Sequence, residues 1–255
     1  MINRHLDPYG YMIPEIFPTG DEPYDPNLPL HIDDPCEFWV DGQDASTFDL
    51  TGILVNQWDD KSGFDRHVLN AAADATRPTY DINTGRVTFT AANNTFLQSA
   101  AFASALTQPN TVFVVYKISG SLITGAAFSG ITNSAKRNQF GHVGSNFYIL
   151  TNVLLTDGAT DANDNIHVGE FNGLASNYWI NGALKISGNV GAGTLDGITL
   201  GKNNTSTVYA DVEIMEVIVY NSDISDTDRD VITAYLADKW GITSTTNNKG
   251  FVLYY

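Results

Sequence analysis

From Phe38 onward the chain alternates short apolar runs with Gly, Asn, Asp and Ser, the punctuation of a β-sandwich or barrel. Residues 87–90, 111–116, 147–150, 166–171, 178–180, 198–200 and 212–220 read as strands. Between Ile180 and Ala183, Asn181-Gly182 suits a two-residue type I′ turn, so a hairpin is predicted there. Along 212–220 apolar residues fill both alternating positions, as expected of a strand buried on both faces near the middle of the sandwich. Glu216 sits inside that run and needs a partner: a turn or a basic neighbour on one reading, a catalytic role on the other.

One helix is predicted. Ser225-Asp226-Thr227-Asp228 supplies an N-cap and first-turn acids, Val231, Ile232, Tyr235, Leu236 and Trp240 form an apolar face, and Gly241 is a stop. It should lie over one end or edge of the sandwich.

Proline changes the picture at the N-terminus. Seven of the nine prolines, Pro8, Pro14, Pro18, Pro23, Pro26, Pro29 and Pro35, fall within the first 35 residues, together with Tyr9, Tyr11, Phe17 and Tyr24. Proline fixes its own φ and pushes the preceding residue to extended geometry, so an extended arm is expected. It either straps its own domain or docks on a partner through those four aromatics. At the other end a polar stretch, 244–250, precedes an apolar tail, 251–255. The predicted organisation is an arm over 1–35, a folded domain over 36–243 and a tail over 244–255, the tail packing as an added strand or against a second subunit of a homo-oligomer.

Composition narrows the classes. A length of 255 residues suits one large sandwich, and 43% hydrophobic residues exclude a wholly disordered chain. With 13 basic against 29 acidic residues the formal charge is −16, which repels nucleic acid and anionic lipid; neither is an expected partner. Cys36 stands alone, and Met1 is followed by Ile2-Asn3-Arg4-His5 with no apolar signal core, so folding in a reducing cytoplasm without a signal peptide is expected. No run reaches the ~18 to 20 apolar residues of a membrane span, and membrane insertion is not expected.

Two blocks carry a resemblance. Phe38-Trp39-Val40-Asp41-Gly42-Gln43-Asp44-Ala45-Ser46-Thr47, then Val55-Asn56-Gln57-Trp58-Asp59-Asp60-Lys61-Ser62-Gly63-Phe64-Asp65-Arg66-His67 and Arg77-Pro78-Thr79-Tyr80, is similar to the opening of LamG-like (laminin-G/concanavalin A-like) jelly rolls of bacterial surface proteins and tailed-phage structural proteins. Glu213-Ile214-Met215-Glu216-Val217-Ile218-Val219-Tyr220, with the helix ending Tyr235-Leu236-Ala237-Asp238-Lys239-Trp240-Gly241-Ile242, resembles the same family's closing strand and helix. The resemblance brackets about residues 38–242 and implies an all-β, concanavalin A-like jelly-roll sandwich with one C-terminal helix and an extended N-terminal arm. Members of this fold bind sugars or proteins, pad out virions or hydrolyse glycans, so fold alone does not choose among them. On physical grounds Asp60, Ser62 and Gly63 favour a tight turn and Trp58 belongs in the core.

The residue spacing excludes most candidate chemistry. A retaining glycosidase needs two carboxylates about 5 to 5.5 Å apart; strict alternation sets Asp211, Glu213 and Met215 on one face and Glu216 on the other, which breaks the acid ladder. There is no Gly-x-Ser-x-Gly elbow, no His-Glu-x-x-His spacing and no dinucleotide loop. The richest oxygen cluster, 157–165, makes Asp157, Asp161 and Asp164 candidate calcium ligands, against a plain solvated turn; no other cofactor is expected. Tyr148, Asn203 and Asn204 are the candidate glycan contacts. Together these point to a non-enzymatic virion structural protein, a decoration or fibre component, whose arm binds capsid or tail proteins and whose jelly roll faces surface glycans. The alternatives are a free-standing carbohydrate-binding module and, behind it, a glycan hydrolase.

Overall fold

The structure, a computed structural model, describes residues 27–70, 74–120, 124–132, 135, 137–157, 159–204 and 208–246, with the backbone of 5–6 and 12–13. Tyr9, Tyr11, Phe17 and Tyr24 and the tail 251–255 lie outside the described residues.

The chain opens its folded part with β1 (Cys36–Asp41), β2 (Phe48–Thr51), β3 (Leu54–Trp58), β4 (Thr79–Asp81) and β5 (Arg86–Phe89). It continues through β6 (Asn110–Ile118), β7 (Thr124–Ser129), β8 (Gln139–Val143), β9 (Asn146–Leu150) and β10 (Leu154–Asp157). Then come β11 (Asn165–Phe171), β12 (Ser176–Ile180), β13 (Ala183–Gly188), β14 (Thr199–Leu200), β15 (Val212–Tyr220) and the helix α1 (Asp226–Trp240).

Every ladder is antiparallel; apart from two short ladders, His5–Leu6 with Met12–Ile13 and Leu106–Thr107 with Thr194–Leu195, they form one continuous sheet that folds into two layers, a front and a back sheet. The front sheet runs β13-β12-β11-β6-β15; beyond β15, β5 pairs with Val212–Ile214 and β1 with Glu216–Tyr220. The back sheet runs β10-β9-β8-β7-β14 and reaches β3 and β2 through the short strands Leu97–Gln98 and Val68–Leu69. The β4–β5 hairpin joins the two. This is the expected all-β jelly-roll sandwich.

Between the sheets lies the larger core, with Phe38, Trp58, Phe89, Phe128, Phe140, Phe147, Phe171 and Tyr178 all shielded from solvent. A second core fills the outer side of the front sheet, where Trp39, Phe113, Val115, Met215, Ile218 and Tyr220 meet Ile232, Tyr235 and Leu236 of α1. The helix therefore covers a sheet face, not an end or edge. Two covered faces explain why β6 and β15 are almost continuously apolar. Burying one large apolar side chain contributes about 1.5–3 kcal/mol, so these two layers are what hold the fold.

Local chemistry sets the remaining joints. Asn181 and Gly182 adopt φ of 51° and 77°, the left-handed pair a type I′ turn requires, and Ile180 faces Ala183. Ser225 accepts from the Asp228 backbone N–H at 3.1 Å and Gly241 closes the helix at φ 66°. Asp60 takes the N–H groups of Trp39, Ser62 and Arg66 at 2.9–3.0 Å, making it the hub of its turn. The expected extended run to Pro35 is interrupted: Leu28–Leu30 forms a 3-10 turn, Pro29 being compatible with a first helical turn, and the Tyr220 hydroxyl donates to Pro29 O at 2.8 Å. Residues 28 and 29 are buried against the domain, so the arm joins it before residue 35.

Candidate functional site

The opening block of the folded domain and its closing strand and helix meet in space. β1 brings Trp39 and Asp41, β15 brings Glu216 opposite Asp41, and α1 lays Tyr235, Lys239 and Trp240 over them. Glu216 is wholly buried and accepts from Trp39 Nε1 at 2.9 Å and Trp240 Nε1 at 2.8 Å. Lys239 Nζ stands 2.7 Å from Glu216 Oε2 and 2.6 Å from Asp41 Oδ1. Lys61 continues the chain of charge, 3.2 Å from Asp41 Oδ2 and 2.9 Å from Asp44 Oδ2, with its ammonium 4.2 Å from the Trp39 ring. Burial pushes the Glu216 carboxyl above the ordinary carboxylate range. Burial also works to lower the Lys239 pKa, but the Glu216 and Asp41 carboxylates outweigh it and raise it.

A β-bulge corrects the alternation argument. Val115 faces Glu216 and Tyr116 faces Ile214, so Met215 is an extra residue in β15 and the pleat slips by one. Glu213, Met215 and Glu216 consequently all project from the helix side of the sheet. No acid pair opens to solvent from this: Glu216 is sealed, and Glu213 lies between Arg86 and Lys117, 3.2 Å from each. Gly42 lets the slip happen, its N–H donating to Met215 O at 2.8 Å, while a Cβ there would fall 1.9 Å from Gly85 O.

The expected calcium cluster is dispersed. Asp164 is held in a fork by Arg86 at 2.8 and 2.6 Å, and that guanidinium keeps its carboxyl below the usual range. Asp161 Oδ1 accepts from Asn163 N at 2.9 Å and Asn165 Nδ2 at 2.8 Å, an ordinary Asx turn, and the Asp157 side chain lies outside the described residues. Among the described residues, no three His, Cys, Asp or Glu side chains gather closely enough to hold a metal ion.

Two of the expected glycan contacts are turned inward. Tyr148 lies across the strand pair onto Gly141, where a Cβ would come within 2.7 Å of its hydroxyl; the phenol meets Gln139, and burial pushes its pKa up to about 12. Asn204 is buried with its carbonyl 3.5 Å from Arg137 Nη1, and Asn203 is half-buried, its N–H donating to Val208 O.

An open cleft of about 540 Å3 lies instead at the tip of the β12–β13 hairpin. Phe147 and Ile180 form its floor; Asp161, Asn165, Asn181, Lys185, Thr243 and Thr245 line its walls. Asn181 organises it, its Oδ1 accepting from Ile166 N and its Nδ2 donating to Asn165 Oδ1, both at 2.8 Å, while its carbonyl accepts from Thr245 N at 3.0 Å. Asp161, Lys185, Thr243 and Thr245 are exposed on the rim. Sequence reasoning found Asp161 in another role and Asn181 only as a turn; nothing local marked Lys185 or the threonines after α1.

Known proteins add the frame for this geometry. No protein-family model and no curated protein matches the chain. Solved structures do match. The binding domain of Paraclostridial Mosquitocidal Protein 1 is 8% identical with a TM-score of 0.57, over 82% of this chain and 53% of that one. Trypanosoma rangeli sialidase is 11% identical with a TM-score of 0.52, over 82% and 34%. The receptor binding domain of botulinum neurotoxin C/D mosaic serotype is 13% identical with a TM-score of 0.52, over 79% and 51%. The likeness is one of fold. The chain spans about a third to a half of the solved chains it matches.

Proposed function

We propose that this chain is a non-enzymatic carbohydrate-binding jelly-roll module, fastened by its N-terminal segment to a virion as a decoration or fibre component and displayed at the particle surface. The observation that carries the reading is the cleft at the β12–β13 tip. Its volume falls in the range of ligand sites, about 300–1,000 Å3, and its walls combine amide, hydroxyl, ammonium and carboxylate groups over an apolar floor. Such a mixture suits a ligand rich in hydroxyls with one apolar ring face. Likeness in fold to a toxin's binding domain and a neurotoxin's receptor binding domain supports recognition, while the comparable likeness to a sialidase does not separate it from chemistry. The state of the acids favours recognition: Glu213 is ion-paired, Glu216 is enclosed, and Asp161 is the one carboxylate lining the cleft among the described residues. The attachment half of the reading rests on the proline-rich segment and its aromatics, Tyr9, Tyr11, Phe17 and Tyr24.

Glycan-array binding by the intact chain, compared with Lys185→Ala and Asp161→Asn, tests recognition. Retention of one glycan class, weakened tenfold or more in either variant, is expected. Release of shortened glycan products, or binding untouched by both changes, overturns it. Because Leu28 and Pro29 pack on the domain, the deletion that tests attachment stops at residue 26. That truncated protein should fold and fail to join particles; normal incorporation refutes the attachment half.

A further inference from the structure

We propose that Lys239 and Asp41 become joined by an intramolecular isopeptide bond, with Glu216 as the proton-transfer group. The three side chains form a closed triad inside the second core. Lys239 Nζ is 2.6 Å from Asp41 Oδ1 and 2.7 Å from Glu216 Oε2, and the side chains are 2%, 8% and 0% exposed for Lys239, Asp41 and Glu216. The length of a carbonyl bond alone puts Nζ within about 4 Å of the Asp41 carboxyl carbon, close to the about 3–3.5 Å of a near-attack arrangement. Trp39, Tyr235 and Trp240 wall the triad off from bulk water. An ion pair this deeply buried is costly to keep desolvated, and the cost falls when its charges are removed.

The step balances without any co-reactant. Glu216 takes a proton from the Lys239 ammonium, leaving a neutral amine in an apolar enclosure, the state in which a lysine is a nucleophile. The amine attacks Cγ of Asp41 and a C–N bond forms. One carboxyl oxygen of Asp41, receiving the proton held by Glu216 and a second from the attacking nitrogen, leaves as water, so an ammonium and a carboxylate become an amide and one water. Lys61 Nζ, 3.2 Å from Asp41 Oδ2, supplies a positive charge where the tetrahedral intermediate gathers negative charge. Lys61 itself is less enclosed, with 18% of its side chain exposed, and is paired to Asp44 as well, so it acts as the electrostatic partner rather than as the nucleophile. The bond would tie the first strand of the domain to its last helix. A pull between the N-terminal segment and the C-terminal tail would then bypass the sandwich.

The decisive measurement is the intact mass of the full-length chain, denatured and reduced. A mass one water lighter than the sequence specifies is expected, with tandem spectra of a digest placing the loss in a branched pair of peptides that carry Asp41 and Lys239. Glu216→Gln and Lys239→Met should restore the full mass, with circular dichroism checking that each still folds. A wild-type chain that keeps its full mass after long incubation overturns the proposal and leaves an ion pair. A missing water mapped to a succinimide elsewhere, or to Lys61, overturns it equally.

Discussion

His167 offers the sharpest test of the core. It lies on β11 facing inward, wholly buried, with its ring stacked on Tyr116 at 4.2 Å between centroids, edge-on to Phe147 at 4.6 Å, and its Nδ1 2.6 Å from the Tyr178 hydroxyl. Nε2 has no hydrogen-bond partner, so a proton placed there gains nothing. Burial pushes its pKa down to about 3 from an ordinary 6.5. A depressed folded-state pKa means that this contribution to stability is fully present above pH 6.5 and is lost as pH falls toward 3, because the unfolded chain binds the proton first. At about 1.4 kcal/mol per pH unit, the loss reaches about 2 kcal/mol by pH 5 and about 5 kcal/mol when complete. Urea unfolding at pH 7.5, 6 and 5 measures it, with His167→Phe as the reference. The variant keeps an aromatic ring in the stack but removes the imidazole that the Tyr178 hydroxyl meets, so it should start about 0.5–1.5 kcal/mol less stable at pH 7.5. Its stability should then fall with pH less steeply than that of the wild type. Equal losses in the two proteins between pH 7.5 and 5, or an imidazole in the folded chain that titrates near its ordinary value, would refute the reasoning.

Trp39→Phe removes a buried donor 2.9 Å from Glu216 and should lower stability by about 2–3 kcal/mol in chemical denaturation; an unchanged midpoint would mean the remaining partners, Trp240, Tyr235 and Lys239, satisfy the carboxyl. At Gly141 a Cβ would fall 2.1 Å from Gly125 O and 2.7 Å from the Tyr148 hydroxyl, so Gly141→Ala should cost about 1–3 kcal/mol, read as a drop in melting temperature. Because Arg86 holds Asp164, neither calcium nor a chelator should move the wild-type melting temperature; a rise with calcium would show that the fork opens.

Features that depend on a few neighbouring residues were legible in the sequence. The Asn181-Gly182 turn, the capped helix ending at Gly241, the turn built on Asp60 and the doubly buried strand 212–220 are each fixed by backbone conformation or by periodicity, and each appears where expected. A strand such as Thr124–Ser129 was not legible, because small or polar residues give it little pattern and its partners supply the order. What only the tertiary structure decided is where side chains from distant segments meet. One extra residue at Met215 turned Glu216 to the same face as Glu213, a slip set by pairing with β6 and by the room at Gly42, which no alternation rule on β15 alone contains. In the same way Asp164 found Arg86, 78 positions away, instead of its neighbours, and the cleft drew its walls from the 157–165 loop, the β12–β13 hairpin and the residues after α1. Periodicity constrains which way a residue faces within its own element; packing against other elements decides what it faces.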